Sequence, residues 1–184
     1  MEKKLNIKST KFDGLFIIEP NVFKDERGSF SRVFCESELE NILDFNIKQI
    51  NHSVTKKKGT LRGLHFQYEP NSEIKIVKCV QGSILDVVVD IRKNSKTFLK
   101  VLSVKLSKHN SKALFIPKGF AHGFQTLEDD TELIYLHTSC YTPSNEGALN
   151  ALDKVLNINW PEAITNISER DRNHPFINSK FIGI

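Results

Sequence analysis

The sequence lacks the features that define several large classes of protein. Its 184 residues include only three cysteines, Cys35, Cys79 and Cys140, and no C-x-x-C pair, so neither a zinc–cysteine site nor a disulfide framework is indicated. No apolar run reaches the roughly 18 residues of a membrane span, and the first residues carry no apolar signal segment. We therefore expect a protein of the reducing cytoplasm with no membrane partner.

A strong charge bias is also missing. The chain has 26 Lys and Arg against 22 Asp and Glu, a formal net charge of +4, and the basic residues are scattered. No stripe of alternating basic and aromatic residues occurs, so nucleic acid is not an expected partner. The mild positive charge favours a small anionic ligand.

The hydrophobic pattern indicates a β protein. At this length we expect one domain covering residues 1–184. Short strand-like segments recur about every ten residues, with no βαβ alternation and no glycine-rich phosphate loop. The clearest pair, residues 74–80 and 84–91, is joined by Gln81-Gly82, which predicts a hairpin. Helix is predicted at Ser37 to Leu43, capped by Ser37. The pattern predicts an antiparallel jelly-roll sandwich or barrel with short peripheral helices and an internal small-molecule site.

One strand-like stretch, Gly59–Gln67, combines a cation with a possible base. Arg62 is a permanent cation suited to phosphate, and His65 can exchange a proton near neutral pH. Being three residues apart, they face opposite sides of a regular strand. If both serve one pocket, the strand must bulge or end near Gly63.

Other polar side chains lie on faces that the alternation predicts to be apolar. Lys75 shares a face with Val77, so it either faces inward or lies at a strand end with its amine in water. Tyr135 shares a face with Leu133 and His137. A further strand has three polar residues on one face, which either meets water or lines a pocket: Gln49, Asn51 and Ser53.

A set of motifs occurs in a fixed order along the chain. They are Asp25-Glu-Arg-Gly28, Asn51-His-Ser53, Leu61-Arg-Gly-Leu-His-Phe-Gln67, Asp86-x-x-x-Asp90-x-Arg92, Pro117-x-Gly-Phe-Ala-His-Gly-Phe124, Pro143-Ser-x-Glu-Gly147, Ile158-x-Trp-Pro161 and Ser168-x-x-Asp171. Through these motifs the chain resembles the dTDP-4-dehydrorhamnose 3,5-epimerases from about residue 10 to residue 175. The resemblance implies a cupin jelly roll, a homodimer, and no cofactor or metal. The chain also lacks the His-x-His element of metal-binding cupins.

The activity implied by the resemblance is epimerisation at C3 and/or C5 of a nucleotide-diphosphate 4-keto-6-deoxyhexose through an enolate, for deoxysugar and surface polysaccharide biosynthesis. It implies that His65 is the base and that Asp171 orients it. Tyr135 returns the proton, and Lys75 stabilises the oxyanion at C4. From the residues alone, Ser168-x-x-Asp171 is better interpreted as a helix-capping box, and only the resemblance implies a catalytic role for Asp171.

The resemblance also implies a set of residues that bind the sugar, the diphosphate and the base. Phe30 and Tyr141 would stack on the base, and Arg27, Arg62 and Arg170 would meet phosphate. The complete implied set is Arg27, Phe30, Arg32, Gln49, Asn51, Arg62, His122, Tyr141 and Arg170. Part of it is often contributed by the partner subunit in this family.

Two departures from the family pattern keep alternatives open. Arg32 stands where the family usually has Glu, and Arg cannot accept the N3–H of thymine. It therefore either points to solvent or indicates a CDP- or GDP-linked sugar. Asn150-Ala-Leu-Asp153 replaces the usual Trp-Asn-Asp, which suggests a single-centre epimerase or another deoxysugar. A catalytically silent nucleotide-sugar-binding cupin is the remaining alternative, and the presence of all four catalytic candidates argues against it.

Overall fold

The computed structural model describes residues 3–42 and 46–184, which form fourteen strands, two one-turn helices and a 3-10 turn at Pro143–Asn145. The strands are β1 Leu5–Ser9, β2 Phe16–Pro20, β3 Val22–Asp25, β4 Gly28–Ser31, β5 Gln49–Thr55, β6 Thr60–Gln67, β7 Lys75–Gln81, β8 Ser83–Asp90, β9 Val101–Ser107, β10 Ala113–Ile116, β11 Phe120–Thr126, β12 Thr131–His137, β13 Glu146–Ala148 and β14 Asn166–Ile167. The helices are α1 Glu36–Leu39 and α2 Glu169–Arg172.

Two sheets face each other. One has the order β1-β2-β10-β7-β12-β5, and the other has the order β13-β6-β11-β8-β9, with β14 added beside β6. The pairings are antiparallel except for β14 with β6. Strands β3 and β4 form a separate hairpin. This double-sheet architecture confirms the predicted jelly roll.

The interior between the sheets is apolar over one part and polar over the rest. In β7 the inward residues run from Lys75 to the buried Val77 and Cys79, and in β12 they run from the buried Leu133 to Tyr135. The apolar part forms the main core, because burying these side chains is the dominant stabilising term in folding. The polar part is left open as a cavity.

The C-terminal part of the chain covers the outer face of the second sheet. Leu149, Leu156 and Ile167 pack against Leu61 and Leu64 of β6. This packing draws the chain back across β6 and places β14 and α2 beside it.

Two local predictions were wrong. Gln81-Gly82 does not join a hairpin, because β7 and β8 lie in different sheets. A short turn signal cannot distinguish a hairpin from a crossing between sheets when both strands are buried on both faces. Ser37 does not cap α1: the helix follows Cys35 with no side-chain cap, and the predicted end at Leu43 lies outside the described residues.

In the part of the chain that the structure describes, no helix has the length and apolar character needed to cross a bilayer.

Candidate active site

A cavity of about 850 Å³ opens between the two sheets. Its walls come from β5, β7 and β12 on one side and from β6 and β11 on the other, and α2 lies at its margin. This cavity brings together ten of the residues predicted from the sequence: Gln49, Asn51, Arg62, His65, Lys75, His122, Tyr135, Tyr141, Arg170 and Asp171.

A β-bulge in β6 places Arg62 and His65 on one face. His65 pairs with His122 and Arg62 pairs with Phe124, so two residues of β6 oppose Gly123 of β11. Since His122 and Phe124 are two residues apart and share the inward face, their partners share it too. Gly63 has φ +107, and a Cβ there would lie 2.6 Å from the Gly123 Cα. The predicted interruption near Gly63 is confirmed.

His65 and Asp171 form a hydrogen-bonded dyad. His65 Nε2 lies 2.8 Å from Asp171 Oδ1, and the Gly63 amide donates to Asp171 Oδ2 at 3.2 Å. Burial acts to raise the pKa of Asp171, but the hydrogen bond and charge of His65 outweigh it and lower the pKa to about 2. The carboxylate is therefore ionised, and it favours the His65 tautomer with hydrogen on Nε2. That tautomer leaves the lone pair of Nδ1 to accept a proton.

Asp171 reaches His65 through the combined geometry of β14 and α2. Ile167 of β14 pairs with Leu61 of β6. The next residue, Ser168, caps α2, because its Oγ accepts a hydrogen bond from the Asp171 backbone amide at 3.0 Å. The cap uses the backbone of Asp171 and leaves its carboxylate free to meet His65. Ser168-x-x-Asp171 therefore acts as a helix cap and also orients the dyad.

The opposite wall carries Tyr135 and Lys75. The Tyr135 phenol accepts from Ser53 Oγ at 3.5 Å, and burial raises its pKa, so it keeps its proton. The Lys75 amine lies 3.2 Å from Glu73 Oε1, and its side chain is 13% exposed. The cavity thus has an imidazole on one sheet and a protonated phenol and an amine on the other.

A second His–Asp pair is buried in the second sheet. His122 Nε2 lies 2.7 Å from Asp86 Oδ1. Among the described residues, Asp86 Oδ2 has no hydrogen-bond partner. The His122 ring stands edge-on to the Tyr135 ring, with centroids 6.4 Å apart.

The residues predicted to hold the nucleotide fall into two groups. Tyr141 and Arg170 share Glu146 Oε2, at 3.1 Å and 2.8 Å, and the Tyr141 amide donates to Gln49. Three others lie outside the cavity, on or just after the β3–β4 hairpin. Arg27 pairs with Asp25, Phe30 is 64% exposed, and Arg32 pairs with Glu38.

Four titratable residues that contact predicted site residues were missed from the sequence. His137 could have been found, because alternation had placed it with Tyr135. Glu73 precedes a strand, and Glu146 and His174 lie in segments without a periodic pattern, so they gave no signal. The His174 ring stands edge-on to His65, with its Nε2 3.5 Å from Asp171 Oδ1.

His65, Asp171 and His174 also place potential metal ligand atoms within 4.8 Å of one another. The Arg170 guanidinium lies 3.4 Å from His65 Nε2, however, and a cation there disfavours a second one. We interpret the cluster as a hydrogen-bonded dyad with a neighbouring imidazole. The absence of metal and cofactor stays a prediction from the sequence.

The comparison with protein families and the comparison with individual proteins identify the same family. The family model described as dTDP-4-dehydrorhamnose 3,5-epimerase matches residues 9–179. The chain is 42% identical to the Shigella flexneri dTDP-4-dehydrorhamnose 3,5-epimerase over 171 residues, which is 92% of this chain and 94% of that protein.

Solved structures of similar enzymes superpose closely. A Legionella pneumophila dTDP-6-deoxy-D-glucose-3,5-epimerase in complex with dTDP-4-keto-L-rhamnose has a TM-score of 0.90 and 36% identity, covering 97% of each chain. A 3'-monoepimerase from Streptomyces bikiniensis in complex with dTDP-quinovose has a TM-score of 0.86 and 33% identity, covering 92% of this chain and 86% of that one.

Proposed function

Because the chain belongs to the dTDP-4-dehydrorhamnose 3,5-epimerase family, we propose that its cavity epimerises a dTDP-linked 4-keto-6-deoxyhexose in deoxysugar biosynthesis. The protein is an isomerase of the carbohydrate epimerase class. The observation that carries the proposed chemistry is the His65–Asp171 dyad on one sheet, facing a cavity whose other sheet supplies Tyr135 and Lys75.

The reaction needs a base and an acid on opposite faces of the sugar ring. The C4 carbonyl acidifies the hydrogens at C3 and C5, and His65 removes one of them as a proton. Asp171 then stabilises the imidazolium that forms. The enolate oxygen at C4 lies against Lys75, which offsets the developing negative charge. Tyr135 returns a proton from the opposite face, and the centre is inverted.

The nucleotide assignment to dTDP rests on the relatives and on the ion pair that Arg32 forms. The Legionella enzyme is described with a dTDP sugar. Arg32 gave the reason to consider CDP- or GDP-linked sugars, but its guanidinium is engaged in an ion pair with Glu38. We propose that Arg62 and Arg170 bind the diphosphate and that the half-exposed Tyr141 stacks on thymine.

Deuterium uptake tests the proposal. Incubation with dTDP-4-keto-6-deoxyglucose in D₂O should add deuterium at each epimerised centre, counted by mass spectrometry. CDP- and GDP-linked ketosugars run in parallel test the base. His65→Asn, which should fold normally, is the control and should show no uptake. A wild-type protein that takes up no deuterium from any of the sugars would be a binding protein, which contradicts the proposal.

Inversion at one centre is the second candidate. It is supported by the similarity to the Streptomyces 3'-monoepimerase and by the departure of Asn150-Ala-Leu-Asp153 from the family pattern. A single-centre enzyme would add one deuteron, and a double epimerase would add two.

A homodimer accounts for the binding residues that lie outside the cavity of their own chain. The β3–β4 hairpin presents Phe23 and Phe30 to solvent, and the edge strand β5 presents Ile50 and Val54. We propose that the hairpin of each subunit reaches the cavity of the other, in a protein that we expect in the cytoplasm.

Mixing two inactive variants tests this arrangement. In a mixture of His65→Asn and Arg27→Ala subunits, a heterodimer should have one intact site, so after subunit exchange about a quarter of the wild-type activity should return. No recovery, with exchange verified by native mass spectrometry, would contradict a shared site.

A further inference from the structure

Three titratable side chains lie together at one side of the cavity, and the acid–base scheme uses only one of them. Lys75 begins β7, His137 ends β12, and the two residues are cross-strand partners. Glu73 lies between their side chains. The exposed fractions are 13% for Lys75, 11% for His137 and 7% for Glu73, and all three line the cavity.

Glu73 bridges the other two residues. Its Oε1 lies 3.2 Å from Lys75 Nζ, and its Oε2 lies 2.8 Å from His137 Nδ1. Burial acts to raise the pKa of Glu73, but the His137 hydrogen bond and the Lys75 charge outweigh it, so the pKa is lowered. The group is therefore an ionised carboxylate that divides its two oxygens between an imidazole and an amine.

Asn51 extends the chain of contacts. Its Nδ2 lies 3.5 Å from His137 Nε2. With the Asn51 amide donating to Nε2, the imidazole carries its hydrogen on Nδ1 and donates it to Glu73. The His137 ring is thus held between Asn51 and Glu73, with its Nδ1–H directed at the Glu73 carboxylate.

This arrangement bears on how Lys75 meets the oxyanion. Lysine is a point charge on a flexible stem, so its amine needs an external partner to hold it in place. A buried carboxylate with Lys75 as its sole partner would also neutralise much of that positive charge. His137 donates a hydrogen bond to Glu73 Oε2, the oxygen that does not contact Lys75. This bond stabilises part of the negative charge of Glu73, so Lys75 retains more of its positive charge for interaction with the substrate.

We propose that Glu73 and His137 are positioning residues that fix the Lys75 amine and set its effective charge toward the C4 oxyanion. The inference rests on the proposed role of Lys75 in epimerisation. The oxyanion forms only after the sugar is deprotonated, so the pair acts on the transition state more than on substrate binding. Loss of the Glu73–His137 pair lowers kcat and leaves KM nearly unchanged.

Variants of His137 separate positioning from packing. In His137→Asn, the Asn Nδ2 can take the place of Nδ1–H and donate to Glu73, whereas His137→Leu keeps bulk and removes the donor. We expect kcat to fall about tenfold in His137→Leu and in Glu73→Gln with KM within about twofold, and His137→Asn to keep at least about half of the wild-type kcat. His109→Leu, on the exposed turn after β9, is the matched control and should behave as wild type.

Steady-state kinetics and thermal midpoints of all four variants decide the question. Equal kcat in His137→Leu and wild type, a rise of KM in place of a fall of kcat, or no advantage of His137→Asn over His137→Leu would overturn the inference. If His137→Leu does not fold, the Glu73→Gln and His137→Asn pair gives the same test. If the wild-type protein incorporates no deuterium from any ketosugar, the result would contradict the proposed function itself.

Discussion

Two of the histidines that line this cavity are paired with aspartates, and the two pairs differ in exposure and in how completely they are hydrogen-bonded. The His65 side chain is 24% exposed, and both Asp171 oxygens have partners. The His122 side chain is 6% exposed, and Asp86 Oδ2 has none among the described residues. The first pair joins a sheet to a C-terminal segment, and the second lies wholly within one sheet.

The difference indicates different tasks. A base must reach substrate and then hold a positive charge, which an accessible ring against a fully hydrogen-bonded carboxylate can do. The His122 pair is buried within one sheet, so its ring is less accessible to a substrate. We therefore expect the His65 pair to govern turnover and the His122 pair to govern stability and the shape of the cavity.

Replacing each histidine by asparagine is the strongest test of whether the two pairs have different tasks. His65→Asn should lower kcat about 10³-fold because the base is lost, whereas His122→Asn should lower it about tenfold through altered shape. Steady-state turnover of the dTDP ketosugar measures both. A larger loss in His122→Asn than in His65→Asn would reverse the comparison.

Variants of the two aspartates should differ in whether they affect kcat or the free energy of unfolding. Asp171→Asn should lower kcat about 10²-fold, because an amide no longer stabilises the imidazolium of His65. Asp86→Asn should act mainly on folding, by about 1–3 kcal/mol, since the change falls on a buried polar group. Kinetics and urea unfolding of both variants check this; similar kinetic losses in the two would show that the pairs are not distinct.

The His65 pair depends directly on the bulge at Gly63, whose amide also donates to Asp171. Gly63→Ala should destabilise the protein by about 3 kcal/mol and displace His65, because the added Cβ meets the backbone of β11. Gly28→Ala is the matched control: its φ is also positive, at +134, but nothing lies within 4 Å of the added Cβ, so about 1 kcal/mol is expected. Equal losses in urea unfolding would show that the close approach to Gly123 is unimportant.

Acid should weaken the Asp171 contacts in a predictable direction. The folded pKa of Asp171, about 2, lies below its ordinary value, so its stabilisation is complete above about pH 4 and is lost as the pH falls through 2. The contribution is roughly 2 kcal/mol at neutral pH. Asp171→Asn should therefore flatten the acid limb of the unfolding free energy measured between about pH 5 and pH 2. An unchanged acid limb would contradict the lowered pKa.

Strand alternation predicted the parts of the site that lie on regular strands. It put Lys75 and Tyr135 on the same faces as apolar residues, and it required a bulge near Gly63 if Arg62 and His65 were to share a pocket. It did not resolve whether Gln49, Asn51 and Ser53 met water or a pocket; their side chains line the cavity.

Contacts that depend on the pairing of distant segments could not be read from local patterns. Asp171 was assigned through family resemblance alone, since its local motif indicated only a helix cap. The error at Gln81-Gly82 has the same origin, because the choice of sheet for β7 and β8 depends on strands far along the chain. The hydrogen bond of Glu73 to His137 likewise joins residues 64 positions apart.

The spacing of the two His–Asp pairs also sets an order during synthesis. Asp86 and His122 are 36 positions apart, whereas His65 must wait for a residue 106 positions later. On the ribosome, the buried pair can assemble while α2 is still being translated. We therefore expect a nascent chain to acquire the walls of its cavity before His65 gains the carboxylate of Asp171. We expect full turnover only after the segment around Asp171 has emerged and β14 has paired with β6.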